Sequence, residues 1–326
     1  MKKRNIAIAL GGAATLAVAV TIARRAKSVE WDDVASLVPH SDKSHFVNVD
    51  GARVHYQEFG DAADPTLLLV HGYTASVYVW ATVAPMLAEI GFHVVAVDLL
   101  GFGYSEKPVS FDYTIASQAR MVSRFMERIG IAKATLVGSS YGGAVAATIA
   151  LDEPARVEKL VLVDAVINDE ATRHPLLRLA KLRGVGELLT PLLARSPQFF
   201  RMRMRATLAK SNHHLITRER LASVRRPLNA ADGHRSVLAT SRAWDAQRIE
   251  RDAHLISQPT LIIWGDSDRV IKIHNGYKLH QEIDGSRFVI FKDCGHVPQE
   301  EKSEPFVEVV SDFCKNAALK SIDSVR

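Results

Sequence analysis

The amino-acid sequence predicts an α/β architecture: a mostly parallel central sheet covered by helices, with a helical cap inserted late in the chain. Three observations carry this. Short β-branched runs recur, "HFVNVD", "ARVHYQEF", "TLLLVHG", "FHVVAVDL", "ATLVGSS", "EKLVLVDA", "PTLIIWGD" and "RFVIFKD". The later runs are continuously apolar, as strands buried on both faces must be, and alternate with helix-like segments at residues 114–129 and 142–151. Between "VLVDAV" and "PTLIIW" the chain shows no strand pattern and is rich in Leu, Arg and Met. That interval reads as a cap over the carboxyl edge of the sheet, where open α/β sheets bind their ligands.

The size agrees. At 326 residues and 47% hydrophobic, the chain is long enough for one large core carrying an insertion, and disorder as the dominant state is excluded. The two cysteines, Cys294 and Cys314, form neither a disulfide framework nor a metal-binding spacing, so no metal is implied.

Residues 1–28 come first. Lys2, Lys3 and Arg4 precede 19 uncharged residues, Asn5 to Ala23, and Arg24, Arg25 and Lys27 follow. As a helix this run measures roughly 28 Å, close to the ~30 Å of a bilayer's hydrocarbon layer. The small residues Ala17 and Ala19 offer a cleavage site inside the apolar run, but the basic residues directly after it favour an uncleaved signal anchor over a cleaved signal peptide. The expectation is a membrane-associated protein whose soluble domain lies outside the cytoplasm.

The soluble part divides into a first core segment, residues 45–168, the helical cap, residues 169–256, and a second core segment, residues 257–318. Charge follows this division. From Arg173 to Arg251 there are 17 Lys and Arg against 5 Asp and Glu, a net of +12 in a chain of +5, which leaves −7 for the rest. A solvated basic helical face accounts for this as well as a binding surface does. Nucleic acid is not expected, because Phe199, Phe200 and Trp244 are few stacking platforms. Near a membrane anchor, anionic lipid is the better partner. In "FFRMRMRATLAK", Phe199, Phe200, Met202 and Met204 are expected to dip into the interface while Arg201, Arg203 and Arg205 meet phosphates. The alternative is a cap helix that covers a pocket.

The chemistry centres on "TLVGSSYGGAVAATIA". G-x-S-x-G fits "GSSYGG" in one register only, Gly138, Ser139, Ser140, Tyr141, Gly142, so Ser140 is the candidate nucleophile. A sharp turn from strand to helix strains the central residue, and small neighbours avoid the clashes. A serine hydroxyl needs a base, and the base an orienting acid. His296 follows the last expected strand, Asp266 and Asp268 follow the one before, and the order serine, acid, histidine distinguishes this arrangement from other serine triads.

On these residues the chain resembles the α/β-hydrolase superfamily over about residues 45–316. The matching pieces are "LLLVHGYTAS", "VVAVDLLGFGYSEKP", "LVGSSYGGAVA", "LIIWGDSDRV" and "FKDCGHVPQEE". The resemblance implies the α/β-hydrolase fold and places the acid at Asp268, the last residue of a "WGxxD" pattern. Lys272 stands where the family often has proline, so Asp266 and Asp164 stay open. It further assigns the backbone N–H groups of Tyr73 and Tyr141 to an oxyanion hole, gives His71 a structural place, and implies no cofactor. Relatives that attack epoxides or haloalkanes carry Asp at the elbow, so Ser140 argues against both. What the resemblance implies is ester hydrolysis, esterase or lipase-like, on a small-molecule and possibly lipid-derived substrate. The alternatives are carbon–carbon bond hydrolysis, to which "WGDSDR" and "DCGH" are similar, or a slow-turnover receptor.

Overall fold

The computed structural model describes residues 31–170, 175–230, 232–316 and 321–325. The expected anchor and the rest of the 1–28 segment lie outside them. Among the described residues, no helix is long and apolar enough to cross a membrane.

Among the described residues, nine strands form one sheet: β1 (Ser44–Val49), β2 (Ala52–Phe59), β3 (Thr66–Val70), β4 (His93–Val97), β5 (Ala134–Ser139), β6 (Val157–Val163), β7 (Thr260–Gly265), β8 (Arg287–Phe291) and β9 (Ser321–Val325). Their order across the sheet is β1-β2-β4-β3-β5-β6-β7-β8-β9. The β1–β2 and β2–β4 pairs are antiparallel, and from β4 through β3 to β9 every neighbour is parallel. All eight strand-like runs became strands. The ninth, "SIDSV", was not expected: it alternates half-buried and exposed residues and sits at the sheet's edge, where an apolar run is not required.

The central strands are largely apolar because successive side chains feed two different cores. Leu68, Val70, Leu136, Leu162 and Ile262 enter one, and Leu67, Leu69, Val137, Val163 and Ile263 enter the other. Helix α1 (Val83–Glu89) covers the second face. Helix α2 (Ile115–Arg128) covers the first. It begins where the Thr114 hydroxyl accepts the Ser117 N–H (3.1 Å), and it buries Ile115, Ala119, Val122 and Met126 at helical spacing. Helix α3 (Tyr141–Asp152) packs on the same face, buried almost throughout.

Between β6 and β7 the described residues form the α-helices α4 (Pro175–Lys181), α5 (Val185–Arg195), α6 (Pro197–Thr207), α7 (Arg218–Leu228), α8 (Gly233–Arg242) and α9 (Gln247–Asp252). They have a small core of their own, in which Phe200, Met204, Leu221, Val224 and Leu228 pack together. They rest on loops at the carboxyl ends of the strands. The Tyr73 hydroxyl donates to Val237 O (2.8 Å), Ser236 Oγ to Gly101 O (2.6 Å), and the Arg203 guanidinium to Thr74 Oγ1 (2.6 Å). After β7 come α10 (His274–Glu282), the single turn α11 (Pro298–Glu301) and α12 (Ser303–Lys315).

The packing corrects one expectation. Phe200 and Met204 are buried in the cap's core and Arg203 turns inward to Thr74, so these three do not face a membrane. Only Arg201, Met202 and Arg205 of that set are exposed. The reason is the helical period: residues four apart share a face of α6, and the 200/204 face is the one that meets α7.

Candidate active site

Ser140 stands between β5 and α3 with φ 55° and ψ −118°, a backbone conformation rare for a residue with a side chain. Such strain costs of order 1–3 kcal/mol and persists only where the surroundings over-determine it. Here its amide donates to Val163 O (2.8 Å), and its carbonyl accepts from Gly143 N and Val166 N (both 3.0 Å). The flanking glycines are needed for space. A Cβ on Gly138 would lie 2.4 Å from Gly142 O, and one on Gly142 would lie 2.2 Å from Val70 O. Ser139, by contrast, points its buried hydroxyl to the side, where it accepts from Gln299 Nε2 (3.3 Å). The turn therefore separates the two adjacent serines and leaves Ser140 the half-exposed one.

His296 lies on the loop after β8. Its Nδ1 and Asp268 Oδ2 are 2.7 Å apart, both residues buried. Asp268 is itself fixed, because Oδ1 accepts Val270 N (2.7 Å) and Ile271 N (3.1 Å). A carboxylate held this way leaves one oxygen for the imidazole, which must donate from Nδ1 and carries its lone pair on Nε2. Asp266 is exposed, bonded to the Ser267 hydroxyl, and takes no part.

Asp164 does come close. At the end of β6, with φ 43°, it is fully buried, and its Oδ1 accepts Gly265 N (3.0 Å). Ligand-type atoms of Asp164, Asp268 and His296 all lie within 4.8 Å of one another. Burial first, and then the Asp268 charge, hold its carboxyl well above the usual carboxylate range. Two acids at such distance do not both ionise readily. Among the described residues, the hydrogen bond to His296 belongs to Asp268.

The β3 loop approaches from the other side. A Cβ on Gly72 would meet Ser140 Cβ at 3.0 Å, so glycine lets that backbone come close. The backbone N–H groups of Tyr73 and Tyr141 have no acceptor among the described residues. His71 is structural: its Nδ1 donates to Gly72 O (2.8 Å), its Nε2 accepts Leu99 N (3.1 Å), and burial lowers its pKa, which keeps it neutral. The Tyr73 and Tyr141 rings both pack against Trp244, at centroid distances of 5.6 and 5.1 Å. Burial raises the pKa of both phenols. Sequence reasoning missed this role of Trp244, which shares no motif with the residues it touches.

A family model described as the alpha/beta hydrolase fold matches residues 65–303. Lipase 1 of Psychrobacter immobilis is 31% identical over 261 residues, 77% of each chain. The 2-hydroxy-6-oxo-2,4-heptadienoate hydrolase of Pseudomonas putida is 28% identical over 257 residues, 76% of this chain and 88% of the relative. Among solved structures, a membrane phospholipase A described as a bacterial virulence factor superposes with a TM-score of 0.65 at 28% identity, covering 97% of this chain and 98% of that one. Strand order, elbow and family match agree: the chain is a hydrolase and belongs to the α/β-hydrolase fold family.

Proposed function

We propose that the protein is a serine hydrolase that cleaves a carboxylic ester, lipid-derived, through an acyl-enzyme on Ser140. The observation that carries this is the strained Ser140 turn together with the His296–Asp268 hydrogen bond. In this reading Ser140 Oγ attacks the ester carbonyl as His296 Nε2 takes its proton, and Asp268 stabilises the imidazolium. The N–H groups of Tyr73 and Tyr141 receive the oxyanion, helped by the amino end of α3. One such donor is worth ~2.7 to 4 kcal/mol of barrier. His296 then protonates the leaving alkoxide, and a water deprotonated by His296 releases the acid.

The lipase and the phospholipase among the relatives support an ester, and a lipid one. So does the exposed Arg201, Met202 and Arg205 face of α6 on a cap region of net +12, taken together with residues 5–23 read as an anchor. Carbon–carbon bond hydrolysis is the second reading, favoured by the Pseudomonas relative. A panel of p-nitrophenyl esters of increasing chain length, a monoacylglycerol and a ring-fission dienoate separates the two. Turnover of the dienoate alone overturns the ester reading. For the lipid reading, the chain lacking residues 1–28 is mixed with anionic and neutral vesicles at low and high salt, beside an Arg201→Glu, Arg205→Glu variant. If the truncated chain ignores anionic vesicles at low salt, or the variant binds them unchanged, the α6 face is only the outside of a lid.

A further inference from the structure

The loop that carries His296 is anchored by a residue that no part of the proposed chemistry uses. Glu301, at the end of α11, is buried and makes no ion pair among the described residues. Its Oε1 accepts from Gly295 N (2.9 Å) and, at a longer 3.4 Å, from Val297 N, the two amides that flank His296. Its Oε2 accepts from Ala209 N (2.8 Å) and Asn212 Nδ2 (2.9 Å), both in the segment joining α6 to α7. His296 N donates in the same direction, to Thr207 O (2.8 Å), and Asn212 Nδ2 also reaches Asp293 O (3.2 Å).

A buried carboxylate without a cation is costly unless N–H donors replace its water, and here they do so on both oxygens. The fit is close. A Cβ on Gly295 would lie 2.7 Å from Glu301 Oε1 and 2.3 Å from Thr207 O, so only glycine lets loop, carboxylate and cap meet. A second tie lies alongside, the ion pair between the buried Arg220 of α7 and the partly buried Glu300 (2.9 Å).

We propose that Glu301 is a positioning residue that holds His296 from both sides and fastens its loop to the cap, so that the seating of the cap and the competence of the histidine form one linked state. The inference rests on His296 as the base of the proposed hydrolysis. A cap displaced at Ala209 and Asn212 pulls the same carboxylate that sets the Gly295 and Val297 amides. The histidine then serves Ser140 only while the cap is seated.

The test uses the full-length chain with Glu301→Gln and Asn212→Ala. Three quantities are read: the rate of Ser140 labelling by a fluorophosphonate, kcat and KM on p-nitrophenyl butyrate, and Tm. In Glu301→Gln the amide NH2 must face one of the two donor pairs. Displacing a catalytic group by about 1 Å costs ~10²-fold, so labelling rate and kcat fall by about that factor while KM holds. Asn212→Ala leaves the Gly295 side intact and shows the same split, smaller. The proposal is overturned if a folded Glu301→Gln labels and turns over like the wild type, or if only KM or Tm changes. Should Glu301→Gln fail to fold, Asn212→Ala decides by the same criteria. A wild type that is labelled at Ser140 but cleaves no ester removes the ester reading and leaves the labelling rates to judge Glu301. A wild type that is neither labelled nor active overturns both.

Discussion

Asp268→Asn is the most informative single change. In the wild type Asp268 Oδ1 accepts two backbone amides, Val270 N at 2.7 Å and Ile271 N at 3.1 Å, and Oδ2 faces His296 Nδ1 at 2.7 Å. An asparagine has one oxygen, and two amides already claim it. Its NH2 must therefore face His296, so Nδ1 becomes an acceptor and the ring proton moves to Nε2. An imidazole protonated there cannot take the proton of Ser140. Wrong-tautomer substitutions of this kind lower kcat about 10⁴-fold, about 5 kcal/mol of barrier. Packing is preserved, so Tm and KM should change little. The assay is kcat on a short p-nitrophenyl ester, alongside Asp164→Asn and the double variant. Asp164 is buried and accepts from Gly265 N, while His296 bonds Asp268, so Asp164→Asn should retain most of kcat, and the double variant should be no slower than Asp268→Asn. An Asp268→Asn enzyme within tenfold of the wild type would refute the argument. So would an Asp164→Asn enzyme that falls like Asp268→Asn, which would move the acid to the end of β6.

Other outcomes are expected. Ser140→Ala should abolish fluorophosphonate labelling and ester turnover, whereas Ser139→Ala should still label at Ser140; a labelled peptide mapped to Ser139 would reverse the register. Asp164 titrates in the folded state above its unfolded value, so the folded chain keeps a proton that the unfolded chain has released. Its contribution is therefore lost as pH rises above the ordinary carboxylate range, and Asp164→Asn should flatten the fall of Tm with pH on that side. Gly142→Ala should leave little folded protein in a thermal melt, because its Cβ would meet Val70 O at 2.2 Å and His71 O at 2.5 Å. Phe200→Ala should cost ~3 to 5 kcal/mol in chemical denaturation if the cap unfolds with the rest.

The parallel sheet was legible because strands buried on both faces are held to mainly apolar side chains, as in "TLLLV" and "TLIIWG". Ser140 was legible because its strained turn excludes Cβ atoms at Gly138 and Gly142, which writes the constraint into adjacent positions of the chain. Strand β9 escaped because an edge strand with half-exposed side chains has no such requirement.

What only the tertiary structure decided are relations between distant segments. Asp164, Asp266 and Asp268 are equally acidic on paper. The fold brings Asp268 to Nδ1 of a histidine 28 residues away, leaves Asp266 exposed, and buries Asp164 so that its carboxyl is held above the usual carboxylate range. The inward turn of Phe200, Arg203 and Met204 followed from which face of α6 met α7 and Thr74. Glu301 and Trp244 acquire their places from four segments that converge on the sheet's carboxyl edge. A motif records what neighbouring residues demand of each other's backbone; the partner of a side chain is set by packing, and packing is a property of the whole fold.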